Sequence, residues 1–338
     1  MNSERDFAVG DGHAELFEEL FALVFEEVHE GAPVWAVRRE MRLPYEFDIL
    51  GVSERYTSSE SGVSVSEFET GTDVMLARYE GRVAVLTFNR PDARNALHPE
   101  TYGAFEKLLP ELADDPQVGA LMLTGAGGAF CAGGDVKGMN ARNSGGAPSQ
   151  ASLESNVDDL RQRQRTVSAA LQNFPKVTVA AVDGAAAGAG LSIALACDLR
   201  VASPRAIFTT AFAKVGFSGD FGGSWFLTQL VGAAKARELY LTADRFDASE
   251  ALSMNVVNKV LEDEDFESAA VAYATRFAEG PLVAQRYIKE NLNRALGSDL
   301  LTCLDAEAMA MSRCRSTDDH KEAVAAFVEK RSPLFTGR

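Results

Sequence analysis

The sequence is poor in cysteine and histidine, and the positions of these residues exclude several kinds of site. Four cysteines are spread over 338 residues and none forms a C-x-x-C pair, so neither a disulfide framework nor a zinc site is indicated. We therefore expect a reduced, cytoplasmic setting. The four histidines are scattered too, and no cluster of residues has the spacing of metal ligands. No bound metal is expected.

Basic charge is scarce as well. Lysine and arginine number 33 against 49 acidic residues, which gives a net charge of −16. A chain with this balance repels the phosphates of nucleic acid and of anionic membranes, so broad binding to either is not expected. A small anionic ligand is not excluded, because it needs only a local basic patch.

Long apolar runs and nucleotide-binding glycine motifs are also missing. The first twelve residues lack the basic start and apolar centre of a signal peptide. The most apolar stretch, 177–197, is interrupted by Asp183 and by small residues, which predicts a strand, a turn and a buried helix rather than a membrane span. Neither G-x-G-x-x-G nor G-x-x-x-x-G-K-[ST] occurs, so nicotinamide and ATP are not expected as cofactors.

The apolar sequence that is present is enough for a large core. With 338 residues and 46% hydrophobic composition, the chain suits one large domain with an appendage, or two domains. We predict an N-terminal extension at 1–73, a core at 74–260 and a helical C-terminal region at 261–338.

The predicted extension contains an amphipathic helix followed by a linker at 53–72. Its apolar residues recur at helical spacing among glutamates: Phe17, Leu20, Phe21, Val24 and Val28. We expect this helix to pack on the main domain or on a neighbouring subunit; docking of another protein is the alternative.

Two glycine-rich segments follow predicted buried strands. The strand at Leu121–Leu123 leads into five glycines between Gly125 and Gly134. So much glycine indicates backbone that approaches a ligand closely or takes positive φ, or else a flexible turn. The second segment, 188–190, opens a helix of small residues. The free N–H groups and positive dipole end of a helix suit an anion, and close packing is the alternative explanation for the small residues.

Four segments carry a family resemblance: Asn-Arg-Pro…Asn-Ala-Leu at 89–97, Ala-Phe-Cys-Ala-Gly-Gly-Asp at 129–135, the stretch 182–198, and Ala-Phe-Val-Glu-Lys-Arg at 326–331. In this order they resemble the crotonase, or enoyl-CoA hydratase/isomerase, family from about Val74 to the C-terminus. The resemblance implies an α/β fold, a ClpP/crotonase-like spiral of ββα units with a C-terminal helical region. It also implies a homotrimer or a dimer of trimers.

The resemblance further implies how an acyl-CoA is held. The N–H groups of Gly134 and Ala189 are the expected oxyanion-hole donors to the thioester oxygen. The expected contacts to coenzyme A are Arg94, Ala96, Ala132, Lys137, Phe327 and Lys330. Phe327 and Lys330 often serve the CoA of a neighbouring subunit in this family, and an ordinary surface arginine is the alternative for Arg94. The coenzyme A thioester is the substrate, and no further cofactor is expected.

The type of reaction depends on the acid and base groups. Family hydratases use two glutamates, whose positions here are Ser192 and Phe212, so efficient hydration is in doubt. Asp220, in Gly-Phe-Ser-Gly-Asp-Phe-Gly-Gly-Ser, is the one carboxylate in a suitable place. Its loop resembles that of members with a single catalytic aspartate, including Δ3-Δ2 isomerase-like enzymes and ring-1,2-epoxyphenylacetyl-CoA isomerases. A turn or N-cap residue is the alternative for Asp220.

The sequence therefore predicts double-bond isomerisation with Asp220 as a base that takes and returns one proton. Burial beside Phe212, Phe217, Phe221 and Trp225 is expected to raise the pKa of this carboxyl. The same aromatic residues are the predicted acyl pocket, with ordinary core packing as the alternative. Asp135 and Asp198 are expected to have structural roles.

Three other functions stay open at this point. The first is an enoyl-CoA hydratase that works with atypical groups. The second is a thioester hydrolase in which Ser192 orients water. The third is a catalytically silent CoA-binding subunit that docks through its N-terminal helix.

Overall fold

The computed structural model describes residues 65–136, 138, 152–262 and 264–338. The predicted amphipathic helix in the N-terminal extension, most of the predicted linker, and Lys137 lie outside these residues. The described strands form two sheets and are, in chain order, β1 Val65–Glu67, β2 Met75–Glu80, β3 Val83–Phe88, β4 Ala120–Gly125, β5 Ala129–Cys131, β6 Val177–Val182, β7 Ala185–Ala187, β8 Leu199–Ala202, β9 Ile207–Thr209, β10 Phe246–Asp247 and β11 Lys259–Val260.

Helices cover these sheets and form the C-terminal region. In the described part of the chain they are α1 Pro99–Asp114, α2 Leu153–Gln164, α3 Ala170–Gln172, α4 Ala189–Ala196, α5 Gly223–Thr242, α6 Ala248–Ser253, α7 Phe266–Ala278, α8 Leu282–Ala295, α9 Leu300–Arg315 and α10 Asp318–Glu329. A π-helix, Arg165–Ala169, joins α2 to α3. Of the helices described, none is both long and apolar enough to span a bilayer.

The larger sheet has the order β1-β2-β3-β4-β6-β8-β11. It begins with the hairpin that the sequence predicts, in which β2 and β3 are antiparallel and Met75 lies opposite Phe88. The turn between them uses Gly81 at φ +57°, a region that glycine enters without strain. From β3 onward the neighbouring strands run parallel, as expected when helices connect them.

The core lies on both faces of this sheet. Every residue of β3 is buried, and successive side chains of a strand point to opposite faces. Val83 and Val85 pack in one apolar cluster with α7. Ala84 and Leu86 pack in another that contains Phe105 of α1. The continuous apolar run of β3 is thus explained by helices on both sides.

The smaller sheet, of order β10-β9-β7-β5, positions the glycine segments. Its strands β5, β7 and β9 run parallel. The carboxyl ends of parallel neighbours meet at one edge of a sheet. The loop after β5 and the start of α4 after β7 therefore come together at this edge.

The helices predicted around 99–112 and 224–241 can be compared with the structure. Helix α1 begins at Pro99, and His98 caps it by accepting a hydrogen bond from the Glu100 N–H. The sequence also predicts separate helical runs at 224–230 and 231–241. The range of α5 is divided in this way, because Gly232 (φ +76°, ψ 162°) is not helical and separates two helical segments. Glycine adopts this backbone conformation readily because it lacks a β-carbon.

Candidate active site

The two predicted oxyanion segments meet at the edge of the smaller sheet. Gly133 has φ +81°, and a β-carbon there would lie 2.5 Å from the Ala187 carbonyl oxygen and 3.1 Å from the Ala189 nitrogen. A β-carbon at Gly190 would overlap the Cys131 carbonyl oxygen. The glycines therefore permit the close approach of the loop after β5 to the start of α4.

The two predicted donors sit on either side of this contact. Gly134 forms a bridge with Leu97, whose N–H donates to the Gly133 carbonyl at 2.8 Å. Ala189 is the first residue of α4, so its N–H has no acceptor within the helix. Among the described residues, neither N–H is recorded with an acceptor in the protein. Both are thus available to a substrate oxygen.

Asn95 holds the loop between β3 and α1 against the glycine loop, and sequence reasoning missed this role. Its side chain is buried and donates to the carbonyls of Ala126 and Ala129 at 2.8 and 2.7 Å, while its Oδ1 accepts from the Arg90 N–H at 2.8 Å. Asparagine tolerates the φ of +57° that this position requires. The signal in the sequence was the second asparagine of the 89–97 motif.

Three of the predicted CoA contacts lie in these two loops. The Ala132 N–H donates to the Arg94 carbonyl at 3.0 Å, and the Arg94 side chain is exposed. The Ala96 N–H bonds to Ala93 within its loop, and the Ala96 carbonyl accepts from Arg90 at 2.7 Å. A carbonyl has a second lone pair for a ligand. Contact of these residues with CoA stays a prediction.

Two further predicted CoA contacts, Phe327 and Lys330, are at the C-terminal helix, and Lys137 lies outside the described residues. Phe327 is exposed on α10, and Lys330 follows the end of that helix in a left-handed conformation. Both side chains are open to a ligand or to another copy of the chain. Their role also stays a prediction.

Asp220 lies in a half-buried position just before α5. Its Oδ1 is buried and has no hydrogen-bond partner among the described residues. Burial raises the pKa of this carboxyl to about 6, since the charged form loses its hydration. A raised pKa for Asp220 is what the sequence predicted.

Two tyrosines that the sequence did not reveal flank Asp220. Burial raises the pKa values of Tyr102 and Tyr240 to about 12, and the negative charge of Asp220 adds to the shift in both. Arg163 opposes the shift at Tyr102, and Ser192 opposes it at Tyr240. Both phenols are therefore neutral at the pH where Asp220 titrates. Neither tyrosine belongs to a motif, so no sequence signal marked them.

The two carboxylates expected to be structural have internal partners. Asp198 Oδ2 accepts from the Thr178 N–H at 2.8 Å and from Lys289 Nζ at 2.7 Å. Asp135 pairs with Arg90 at 3.4 Å and accepts from the Gly138 N–H at 2.9 Å. In the described ranges, no three acidic, histidine or cysteine side chains converge as metal ligands.

Comparison with known proteins identifies the family. The family model for enoyl-CoA hydratase/isomerase matches residues 78–338, which contain all the segments described above. The chain belongs to the enoyl-CoA hydratase/isomerase family. The crotonase resemblance of the sequence is thus confirmed, and the matched residues begin after the extension predicted at 1–73.

Curated relatives of this family member carry names of two kinds. It is 37% identical over 253 residues to the short-chain-enoyl-CoA hydratase of Clostridium acetobutylicum, covering 75% of this chain and 93% of that protein. It is 34% identical over 267 residues to the 1,2-epoxyphenylacetyl-CoA isomerase of Escherichia coli, covering 79% of this chain and 99% of that one. The relatives therefore support an enzyme of the enoyl-CoA hydratase/isomerase family.

A solved structure confirms the fold. The enoyl-CoA hydratase from Polaromonas sp. JS666 superposes with a TM-score of 0.71 at 33% identity, covering 77% of this chain and 99% of that one. The predicted α/β crotonase fold with C-terminal helices is therefore correct.

The two residues expected at the positions of the family hydratase glutamates lie in and beside α4. Ser192 of α4 is buried, and its Oγ donates to the Gly188 carbonyl at 3.2 Å. The Phe212 ring is 3.7 Å from the point that a Gly188 β-carbon would occupy, and it stacks on Tyr240 with ring centroids 6.0 Å apart. Their correspondence to the hydratase glutamates stays a prediction from the sequence resemblance.

The other predicted acyl-pocket residues have different surroundings. Phe217 is 56% exposed and Trp225 is 44% exposed. Trp225 lines a largely apolar cavity of about 550 Å³ together with Ile288 and Leu292 of α8. Of the three aromatic residues, Phe212 is the one placed against the start of α4. The acyl-pocket role of Phe217 and Trp225 stays a prediction.

Proposed function

We propose that this enzyme moves the carbon–carbon double bond of an enoyl-CoA, with Asp220 as the base. The observation that carries the proposal is the buried, unpartnered Oδ1 of Asp220, whose pKa is raised to about 6. A carboxyl of this pKa is ionised at neutral pH and is a stronger base than an exposed aspartate. It lies in the loop that leads into α5, which packs on α4.

The proposed steps need one carboxylate and two backbone donors. The N–H groups of Gly134 and Ala189 hold the thioester oxygen of a 3-enoyl-CoA. Asp220 removes a proton from C2, and the electron pair shifts to give a dienolate whose oxygen is bound by both N–H groups. Asp220 then returns the proton to C4, which leaves a 2-enoyl-CoA. Each such donor typically contributes about 10²–10³ in rate.

The surroundings of α4 favour isomerisation over hydration. Addition of water needs a base for the water and an acid for the carbon, and family hydratases use two carboxylates for this. Here Ser192 Oγ donates to Gly188 and Phe212 has no titratable group. Isomerisation needs only one group, because Asp220 returns to C4 the proton that it removes from C2.

Hydration is the second candidate, and the names of the relatives favour it. The Clostridium acetobutylicum relative is named a hydratase. The Escherichia coli relative is named for the isomerisation of a ring epoxide, which is a third variant of the same kind of site. In both cases the acyl-CoA thioester would occupy the Gly134 and Ala189 donors.

An Asp220→Asn variant tests the proposal. It keeps the shape of the side chain and removes the base, so turnover of a 3-enoyl-CoA should fall by about 10²–10⁴-fold. Binding of coenzyme A should stay within about twofold, because the predicted CoA contacts lie on other elements. Asp244→Asn, at an exposed position after α5, is the matched control and should turn over normally. Normal turnover by Asp220→Asn would contradict the proposal.

A further inference from the structure

The loop that carries Asp220 has an unusual backbone. Gly219, Phe221 and Gly222 have φ values of +109°, +50° and +74°. Glycine adopts this region without cost, but Phe221 has a β-carbon that disfavours it. A bulky residue keeps such a conformation only when its surroundings hold it there.

The position of the Asp220 side chain does not depend on recorded hydrogen bonds to its carboxylate. Among the described residues, its Oδ1 has no partner, and no recorded side-chain hydrogen bond ends on this carboxylate. The location of the proposed base therefore follows the backbone of residues 218–222. Whatever holds that backbone also holds the base.

One hydrogen bond ties this backbone to a distant element. The Phe221 N–H donates to Oε1 of Gln164 at 2.9 Å. Among the described residues, it is the one recorded hydrogen bond that joins 218–222 to an element outside the loop and α5. The bond from the Gly223 N–H to the Asp220 carbonyl, at 3.1 Å, stays within the turn.

Gln164 lies at the junction between an α-helix and a π-helix. It is the last residue of α2 and directly precedes the π-helix Arg165–Ala169. A π-turn changes the direction of the side chains relative to a regular α-helix, and such turns recur at functional sites. Here the helix changes from α to π directly after Gln164, whose side chain contacts the Asp220 loop.

Arg163, the residue before Gln164, contacts the aromatic ring on which the Phe221 side chain stacks. The Phe221 ring is buried and stacks on Tyr102 of α1, with centroids 5.8 Å apart and an interplanar angle of 9°. The Arg163 guanidinium carbon lies 4.9 Å from the centroid of the Tyr102 ring, a distance typical of a cation–π contact. Gln164 thus binds the backbone N–H of Phe221, and Arg163 packs on Tyr102, which stacks on the Phe221 ring.

We propose that Gln164 is a positioning residue for the reaction: its amide oxygen fixes the backbone at Phe221 and thereby the carboxylate of Asp220. The proposal rests on the proposed function, in which Asp220 is the base. Gln164 acts through the loop and needs no contact with the substrate. A displacement of a reacting group by about 1 Å costs on the order of 10²-fold in rate.

The main test replaces the acceptor and keeps the volume. Gln164→Met removes the amide oxygen, and kcat for a 3-enoyl-CoA should fall by about 10- to 100-fold. KM should change less than about threefold, because the proposed oxyanion donors lie on other elements. Gln162→Met is the matched control, since Gln162 is exposed on the same helix and reaches only Glu106, at 3.5 Å. It should leave kcat unchanged.

The pH profile separates positioning from general stability. The groups that face Asp220 are the phenols of Tyr102 on α1 and Tyr240 on α5, with Arg163 of α2 beyond Tyr102. Gln164→Met loosens the loop and admits water, so the acid midpoint of kcat should move down. Gln164→Glu keeps an acceptor but adds a negative charge nearby. It should retain most of kcat and move the acid midpoint up.

The outcomes distinguish this proposal from the proposed function. If Gln164→Met matches Gln162→Met in kcat and midpoint while Asp220→Asn is inactive, the role of Gln164 is wrong and the function stands. If Asp220→Asn turns over normally, both fail. If Gln164→Met does not fold, Gln164→Glu decides, and an unshifted midpoint would overturn the role of Gln164.

Discussion

Asp220 is a partly buried carboxyl that costs the folded state free energy when it is ionised. Among the described residues, its Oδ1 has no partner, and burial raises the pKa of the carboxyl to about 6. Asp198 instead has three donors, from Thr178 and Lys289. The contrast supports the proposal that Asp220 is the base, because groups with strongly shifted pKa values cluster at functional sites.

The rate should depend on pH through Asp220. The ionised carboxylate is the active form, so kcat/KM for a 3-enoyl-CoA should rise about tenfold per pH unit below about 6 and level off above it. Steady-state rates between pH 4.5 and 8 measure this. A flat profile across pH 6 would show that another group limits the reaction.

Removal of the charge should stabilise the protein. The pKa of about 6 in the folded protein lies above the ordinary aspartate value of 3.8, so folding favours the protonated carboxyl and the free energy of unfolding falls as pH rises from about 4 to about 6. Asp220→Asn should therefore raise the free energy of unfolding at pH 7.5, by at most about 3 kcal/mol because the side chain is partly exposed.

Denaturant unfolding at two pH values checks this effect. At pH 5.0 the gain should be roughly half of that at pH 7.5, because Asp220 is then largely protonated in the folded state. Asp244→Asn is the control and should show no such pH dependence. A loss of stability in Asp220→Asn at pH 7.5 would mean that the carboxylate has a favourable partner.

The residues around Asp220 divide into those the sequence could reveal and those it could not. Asp220 stands in a glycine-rich loop that resembles a family motif, so it could be predicted. Tyr102 and Gln164 reach the loop from elements far away in sequence, and neither has a local pattern that marks it. Only the folded chain shows these contacts, because they depend on how α1 and α2 pack.

At the scale of elements, the approach of α4 to β5 brings together the two proposed oxyanion donors. The glycines at 133 and 190 could be predicted from the pattern of strand, glycines and helix. The division of α5 into two helical runs could be predicted as well, and Gly232, the non-helical residue, lies within two residues of the predicted boundary.

Gly190→Ala should disturb this approach. The added methyl group overlaps the Cys131 carbonyl, so α4 must shift and carry the Ala189 N–H with it. We expect turnover to fall by about 10²-fold and stability to fall by about 1–3 kcal/mol. Activity assays and denaturant unfolding test both effects.

Gly103→Ala is the matched control for that substitution. Gly103 lies in α1, and nothing is within 4 Å of its β-carbon position. Alanine should stabilise the helix by about 0.5–1 kcal/mol and leave turnover unchanged. Equal turnover of both alanine variants would contradict the placement of the oxyanion site.

At the scale of the whole molecule, the C-terminal helices expose apolar side chains. Leu292 of α8 is 65% exposed, and Leu300 and Leu301 at the start of α9 are each 71% exposed. Apolar surface of this kind is typical of interfaces between chains. The expected homotrimer or dimer of trimers stays a prediction.

The native mass tests that expectation. Light scattering on the 338-residue chain should give three or six times 36.3 kDa. Leu301→Glu should lower the mass, whereas Leu241→Glu, at an exposed position near the end of α5, should not. A single-chain mass for the unaltered protein would contradict the expected assembly.

Analysis of the products decides between isomerisation and hydration. The 338-residue chain is incubated with a 3-enoyl-CoA and, separately, with a 2-enoyl-CoA in water, and the products are separated by chromatography. If Asp220 moves the double bond as proposed, the first incubation gives a 2-enoyl-CoA. A 3-hydroxyacyl-CoA from the second incubation, with no isomerisation in the first, would contradict the proposed isomerase and show a hydratase instead.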